Sequence, residues 1–152
     1  MNRTIKEEYI FGMVLLLANK LQIWGDNILE DITLKQWFLL MLISKMIVEN
    51  PTIKEIAEFS GTSRQNTKKM LEQLAKKNYV KINKSKTDER ALNIVLTKKT
   101  FSYFTENEKK AADNVNLLFN DITSDELNVT ERTLEKLLKV FKIQPLELKK
   151  VN

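Results

Sequence analysis

The sequence contains no cysteine and no histidine among its 152 residues. Without cysteine there can be no disulfide bond, thiol redox sensor or cysteine nucleophile. Without histidine the chain lacks the commonest metal ligand and the commonest general acid or base. No glycine-rich phosphate loop, strand-turn-serine elbow or dense acidic loop replaces them. We therefore predict a protein that is not an enzyme and that has no metal and no cofactor.

Turn-forming residues are also scarce, with only three glycines and two prolines. A β-sandwich or barrel needs many turns, so this scarcity favours a mostly helical protein. The first nine residues lack the order of charged and apolar residues that marks a signal peptide. The apolar stretches Tyr9–Ala18 and Leu34–Val48 are too short or too often interrupted to span a membrane, which takes about 20 residues. We predict a cytoplasmic protein without a membrane partner.

Apolar side chains recur at helical spacing near both ends of the chain. Long helices with wide apolar faces are therefore expected there. We predict these helices at residues 3–28, at residues 33–48, from Thr97 to about Ile122, and from Ser124 or Thr130 to a point before Pro145.

Capping-box patterns indicate where three helices begin. They lie at Thr33–Gln36, Thr52–Glu55 and Thr62–Gln65. The second box opens a short helix that ends at about Ser60, and Gly61 then provides a tight turn. The third box opens a helix to about Lys77, after which Asn78 can adopt the left-handed conformation.

After Asn78 the apolar period changes from 3.6 to 2. Residues 79–82 and 92–96 alternate between apolar and polar, and the polar segment 83–90 separates them. This pattern predicts a β-hairpin with a long tip. A helix, a glycine turn, a second helix and a hairpin make a winged helix-turn-helix. The predicted fold is mainly α with a small β-hairpin wing.

The second helix of this motif and the hairpin carry the basic surplus. Residues 62–90 contain nine Lys/Arg and three acidic residues, a net charge of +6, whereas the whole chain has +5. Such localisation is expected where a protein contacts phosphates, although the lysines alone would also suit an ordinary solvated helix face. The candidate DNA-binding residues are Ser63, Arg64, Gln65, Asn66, Lys68 and Lys69 on the helix and Lys84, Lys86 and Arg90 on the wing.

Residues 33–97 resemble the MarR family of bacterial transcriptional regulators. The matching stretches are TLKQWFLLMLI (33–43), TIKEIAEFSGTSRQNTKKMLEQLAKKNYV (52–80) and KTDERALNIVLT (86–97). The resemblance implies an obligate dimer that places two recognition helices in successive major grooves. It also implies that Arg90 enters the minor groove and that Asp88 orients Arg90 or a neighbouring arginine. The sequence departs from the family pattern at Thr67, Asn78 and Thr100, where an apolar β-branched residue, a glycine and a glycine are common.

The terminal helices are the predicted dimerisation elements. The helix from Phe101 to Ile122 offers more apolar surface than one small lobe can cover, with packing on its own subunit as the alternative. The apolar face that includes Trp24 is expected to join the same interface. We predict an N-terminal dimerisation helix (1–32), a winged helix-turn-helix (33–97) and C-terminal dimerisation helices (98–152).

We predict a homodimeric repressor that occupies a pseudo-palindromic operator and is released by a small molecule. Phe11, Trp24, Trp37 and Met41 could line the pocket for that effector, although aromatic and methionine residues at helical spacing are usually core. The alternative function is a protein–protein module whose basic face binds an acidic partner. A polar first turn on the recognition helix, together with Arg90, favours DNA.

Overall fold

The computed structural model describes residues 2–143, which form six helices and one two-stranded antiparallel sheet. The predicted fold class is confirmed. Within these residues no helix is long and apolar enough to cross a membrane. The chain divides into two compact units, Met1–Met41 and Leu42–Asn152. In order, the elements are α1 (Arg3–Ile28), α2 (Leu34–Lys45), α3 (Ile53–Ser60), α4 (Arg64–Lys76), β1 (Val80–Lys84), β2 (Leu92–Leu96), α5 (Lys98–Leu118) and α6 (Ser124–Val140).

In the first unit, α1 has the predicted bounds, and the start of α2 packs against it. A Cβ atom at Gly25 would lie 2.7 Å from a methyl carbon of Leu34, so this close approach requires glycine. Asp26 Oδ1 accepts a hydrogen bond from the backbone N–H of Leu34 at 2.7 Å. The predicted capping box is present, because Thr33 and Gln36 exchange hydrogen bonds of 3.1 and 3.2 Å.

Helix α2 ends at Lys45, so the prediction that it continues to residue 48 is wrong. The backbone N–H of Met46 turns back to the carbonyl of Ile43, and Asn50 has a φ of 51°. Pro51 disfavours the helical conformation only at Asn50, so it does not account for the end of α2 at Lys45. The apolar residues from Met46 to Val48 lie after the end of the helix. The side chain of Ile47 is completely exposed.

In the second unit, α3 begins with the predicted capping box. Glu55 bonds the backbone N–H and the hydroxyl of Thr52 at 2.7 and 2.8 Å, while Thr52 Oγ1 accepts from the Glu55 N–H. These hydrogen bonds hold the pKa of the Glu55 carboxyl below its ordinary value. Gly61 ends the helix with a φ of 69°, which favours glycine.

Helix α4 is capped one residue later than predicted. Ser63, and not Thr62, accepts from a helical N–H, that of Asn66, at 3.2 Å. The hydroxyl of Thr62 is 2.7 Å from that of Thr67, and Thr67 Oγ1 donates to the carbonyl of Ser63. Thr67 is completely buried, so these contacts satisfy a hydroxyl that would otherwise be costly to bury.

The end of α4 is a Schellman motif. Asn78 has a φ of 62°, as predicted, and its N–H bonds the carbonyl of Ala75. The N–H of Tyr79 reaches back to the carbonyl of Leu74 at 3.0 Å. Tyr79 is almost fully buried together with Ile56, Leu71, Leu74 and Ile94. Met70 of α4 is only half-buried.

The hairpin is the predicted wing. Its strands pair from Val80 with Leu96 to Lys84 with Leu92, so β1 extends two residues beyond the predicted strand end. The residues before α3 join the hairpin, because the N–H of Ile94 bonds the carbonyl of Pro51 at 2.9 Å and Thr52 bridges to Asn93. The wing is thereby attached to the start of the helix-turn-helix.

Helices α5 and α6 follow the wing. Helix α5 ends at Leu118, four residues before the predicted limit at Ile122. Helix α6 starts at Ser124, the earlier of the two predicted starts, with Thr123 and Glu126 forming a capping box. Pro145, predicted to lie beyond the end of the last helix, is outside the described residues.

Candidate nucleic-acid interface

The first turn of α4 is a polar, exposed surface. Arg64, Gln65 and Asn66 are exposed, and Ser63 is the exposed N-cap. Because Ser63 Oγ accepts from the Asn66 N–H, its hydroxyl hydrogen is still able to donate outward. Four adjacent side chains with donors or acceptors therefore stand at the N-terminus of one helix, where its dipole is positive.

The tip of the wing is held by its own hydrogen bonds. Ser85, which is buried, accepts at Oγ from the backbone N–H groups of Thr87 and Asp88, both at 3.3 Å. Asp88 Oδ1 accepts from the N–H of Arg90 at 2.9 Å. The N–H of Ala91 bonds the carbonyl of Asp88, and that of Ser85 bonds the carbonyl of Ala91. The tip is therefore an ordered loop that presents the exposed side chain of Arg90.

A groove of about 470 Å³ separates α4 from the wing. Four cationic side chains and one carboxylate line it, so its net charge is positive. Among the described residues the one carboxylate in the lining is that of Asp88, whose Oδ1 is 2.9 Å from the backbone nitrogen of Arg90. Lys68 is paired with Glu72 at 3.8 Å on an exposed face, and such surface pairs hold a lysine weakly. The lining residues are Thr52, Ile53, Lys54, Arg64, Lys68, Asp88, Arg90, Ala91 and Leu92.

The structure brings together only part of the predicted set. Arg64, Lys68, Arg90 and Asp88 meet at the groove. The remaining candidates are exposed on α4 or on the wing without lining the groove, namely Ser63, Gln65, Asn66, Lys69, Lys84 and Lys86.

Two residues of this surface were missed by the sequence analysis. Lys54, in the first turn of α3, lines the groove but precedes the basic segment 62–90 in the chain. Ser85 organises the tip and is buried, although it stands in a polar segment that predicts exposure. The Ser-x-x-Asp spacing of Ser85 and Asp88 was a signal that could have identified the turn.

The residues predicted to line an effector pocket lie in the first unit. Phe11 is 68% exposed, while Trp24, Trp37 and Met41 are half-buried. Phe11 and Trp24 are on the same helix and, at 1.5 Å per residue, roughly 20 Å apart along its axis. None of the four residues lines the groove between α4 and the wing. The effector pocket stays a prediction.

A two-helix motif with a glycine turn, followed by a hairpin tied back to its first helix, defines the class of winged helix-turn-helix proteins. Residues 32–92 match the model of the MarR family. The resemblance to the MarR family that the sequence analysis predicted is confirmed over these residues.

Solved MarR-family structures share the fold over most of the chain. A MarR/EmrR family regulator from an Acinetobacter species is 18% identical, with a TM-score of 0.76 over 90% of this chain and 96% of that one. MepR of S. aureus, solved with DNA, is 21% identical, with a TM-score of 0.74 over 88% and 96%. FabT of Streptococcus pneumoniae, also solved with DNA, is 17% identical, with a TM-score of 0.63 over 90% and 97%. No curated protein matches the sequence.

Proposed function

We propose that this protein is a homodimeric transcriptional repressor that binds a pseudo-palindromic operator in the cytoplasm. The observation that carries the proposal is the groove in which Arg64, Lys68 and Arg90 meet. It is concave and positively charged, and it lies beside the polar first turn of a helix. A DNA strand offers the matching chemistry, because its phosphates are anionic and its base edges carry donors and acceptors. Two DNA-bound structures, those of MepR and FabT, have the same fold and support the proposal.

The proposed contacts follow from the exposed groups. The first turn of α4 enters the major groove, where Arg64, Gln65 and Asn66 reach base edges. Arg90 enters the adjacent minor groove, whose potential is most negative where A·T-rich sequence narrows it. Asp88 contributes by holding the tip. The lysines bind phosphates from both sides of the groove, namely Lys54, Lys68, Lys69, Lys84 and Lys86.

A second copy of the chain is the proposed partner of the terminal helices. Every large apolar side chain between Ile5 and Leu17 is exposed. Helix α5 exposes Phe101 and Val115, and α6 exposes Leu134 and Leu137. Soluble monomers rarely expose apolar surface on this scale, so these faces need a partner. A homodimer also provides the two recognition helices that an inverted repeat requires.

Release of the operator is proposed to follow when a small molecule favours a dimer with a different distance between its recognition helices. Phe11, Trp24, Trp37 and Met41 remain the candidates for that pocket. Because Phe11 and Trp24 are far apart along α1, a single small ligand can contact both only if they come from different subunits.

Titration of the protein against upstream DNA from its own genome, at two salt concentrations, tests this function. We expect recovery of an inverted repeat and affinity that falls steeply with salt. Arg90→Ala should weaken binding to all sequences and flatten the logarithmic salt slope by about one unit. Gln65→Ala should relax the preference at one base position, at a cost of about 1–3 kcal/mol in discrimination.

Arg132→Ala is the matched control, because Arg132 is exposed on α6, away from the groove residues in sequence, and bonds only the carbonyl of Asn128. It should leave the affinity and the salt slope unchanged. Weak binding without sequence preference, equal for wild type, Arg90→Ala and Gln65→Ala, would refute the operator. The basic face would then be assigned to an acidic protein partner.

A further inference from the structure

The backbone carbonyls of three successive residues directly after α4, residues 77–79, accept hydrogen bonds from side chains at the start of α5. Lys99 Nζ is 2.9 Å from the carbonyl oxygen of Lys77. Thr97 Oγ1 is 2.7 Å from that of Asn78, and Thr100 Oγ1 is 2.6 Å from that of Tyr79. We call Thr97, Lys99 and Thr100 the exit clamp.

The backbone completes this arrangement. The N–H of Thr97 also donates to the carbonyl of Tyr79, at 3.0 Å, so this oxygen has a donor for each lone pair. The Tyr79 carbonyl is also within 3.1 Å of Thr97 Oγ1, whose single hydrogen has the nearer acceptor in Asn78. The carbonyls of Leu74 and Ala75 are used by the Schellman motif. The recognition helix is therefore fixed at its end by two sets of contacts, one local and one from α5.

The start of α5 lacks two contacts that usually stabilise the N-terminus of a helix, a side-chain capping bond and an acidic residue in the first turn. Thr97 stands at the N-cap of α5, yet its side chain makes no capping hydrogen bond because its hydroxyl faces the exit of α4. Lys98 and Lys99 occupy the first turn, where the helix dipole favours acidic residues. A locally unfavourable sequence that makes a specific contact elsewhere is typical of a functional constraint.

The side chain of Tyr79 is held as well as its carbonyl. Lys99 Nζ lies 4.4 Å from the centre of the Tyr79 ring, a cation–π contact. Tyr103 of α5 meets the same ring edge-on, with centroids 5.6 Å apart. Tyr79 and Thr100 are almost fully buried. The start of α5 is thus tied to the residues that follow α4 by the buried contact between Thr100 and Tyr79 and by the exposed side chain of Lys99.

We propose that Thr97, Lys99 and Thr100 are positioning residues that set the distance between the two recognition helices of the dimer and so select the spacer between operator half-sites. This inference rests on the proposed function. Helix α5 carries an exposed apolar face, so in a dimer it belongs to the interface, while α4 contacts DNA. If the exit clamp fixes the angle between α4 and α5, the geometry of the dimer determines the distance between the two recognition helices. That distance determines which spacing of half-sites both helices can contact.

The test is a spacer profile. The affinity of the full chain is measured for operators whose half-sites are separated by the best spacer and by one base pair more or fewer, and for an isolated half-site. In Lys99→Met and Thr100→Val we expect the preference for the best spacer to fall by about fivefold or more, as expected for loss of a hydrogen bond. Affinity for the half-site should stay within about twofold, because no base-contacting group changes.

Two further variants separate positioning from folding. Thr100→Ser keeps the hydroxyl and should restore the wild-type profile. Thr105→Val is the matched control, because the hydroxyl of Thr105 bonds only the carbonyl of Phe101 in its own helix. If Thr100→Val does not fold, Lys99→Met decides, since Lys99 is exposed.

The outcomes distinguish this inference from the function on which it rests. A wild-type protein that binds no inverted repeat overturns the proposed function and the inference with it. A wild type that prefers one spacer, with Lys99→Met and Thr100→Val variants that prefer the same spacer equally strongly, overturns the inference alone. Equal losses at the half-site and at every spacer would also overturn it, because they would indicate a general structural role.

Discussion

The winged helix and the terminal helices use apolar residues in opposite ways. Between Ile53 and Ile94, the apolar residues of α3, α4 and the wing are mainly buried, and Leu71 and Leu74 are completely inaccessible. In α1, α5 and α6 the large apolar residues are mainly exposed, with Leu17 at 56% and Leu117 at 74%. The first region satisfies its hydrophobic requirement within one chain. The second satisfies it only when another surface covers it.

The largest effect is expected when a charged residue replaces an exposed apolar residue of α1. If the proposed dimer forms through α1, Leu17→Glu should convert it to monomer and reduce affinity for the proposed operator by about 100-fold or more, because burying an unpaired carboxylate costs several kcal/mol. Analytical ultracentrifugation and DNA titration measure both effects. The matched control is Ile47→Glu, since Ile47 is completely exposed outside any helix. A wild type that is a monomer at all concentrations would contradict the expectation that a second copy covers the apolar residues of the terminal helices.

The core of the winged helix should respond differently. Leu71→Ala is expected to reduce the free energy of unfolding by about 2–5 kcal/mol, because it leaves a cavity in a packed site. Chemical denaturation of wild type and variant measures the loss. Leu117→Ala, on the exposed face, should cost under half of that in dilute protein where dimers dissociate. Equal losses for the two variants would remove the distinction between the regions.

The turn of the helix-turn-helix is the next most sensitive position. Gly61→Ala should cost about 1–2 kcal/mol, because an L residue is strained at a φ of 69° and a Cβ would meet Ile143 at 3.0 Å. Gly61→Asn should retain more stability than Gly61→Ala, since asparagine adopts the left-handed conformation more readily. Thermal unfolding ranks the two variants, and the reverse order would contradict the strain argument.

The smallest effect is expected from pH. Thr52 lowers the pKa of Glu55 in the folded state, so the ionised carboxylate stabilises the fold. This contribution is present above the unfolded-state pKa, near 4.5, and is lost as the pH falls through the lower folded-state value. Glu55→Gln keeps a capping acceptor but cannot titrate. Its stability should therefore fall less than that of wild type between about pH 5 and pH 3, as measured by urea denaturation. Parallel curves would exclude the capping box as a source of acid sensitivity.

Local signals account for what the sequence predicted well. The Thr52 box, the left-handed Asn78 and the change of period after it act within a few residues, and each was found in place. The interface candidates on α4 were found exposed because a polar first turn has no apolar face to bury.

What the sequence could not provide depends on contacts between elements. Thr62 and Ser63 are equivalent as N-caps by type, and the choice between them is decided by the buried hydroxyl of Thr67. Lys54 joins the groove because the segment before α3 pairs with the wing. Thr67, Asn78 and Thr100, which depart from the family pattern, all take part in local or tertiary hydrogen bonds.

The self-bonded tip of the wing has a thermodynamic consequence for DNA recognition. Ser85 and Asp88 already hold the loop in the free protein, so the proposed contact between Arg90 and DNA does not require this segment to become ordered on binding. The conformational entropy of the loop is lost when the protein folds, so its loss does not weaken the binding of DNA. Binding at the wing should consequently lack the large negative heat-capacity change of coupled folding, and its enthalpy should vary little with temperature.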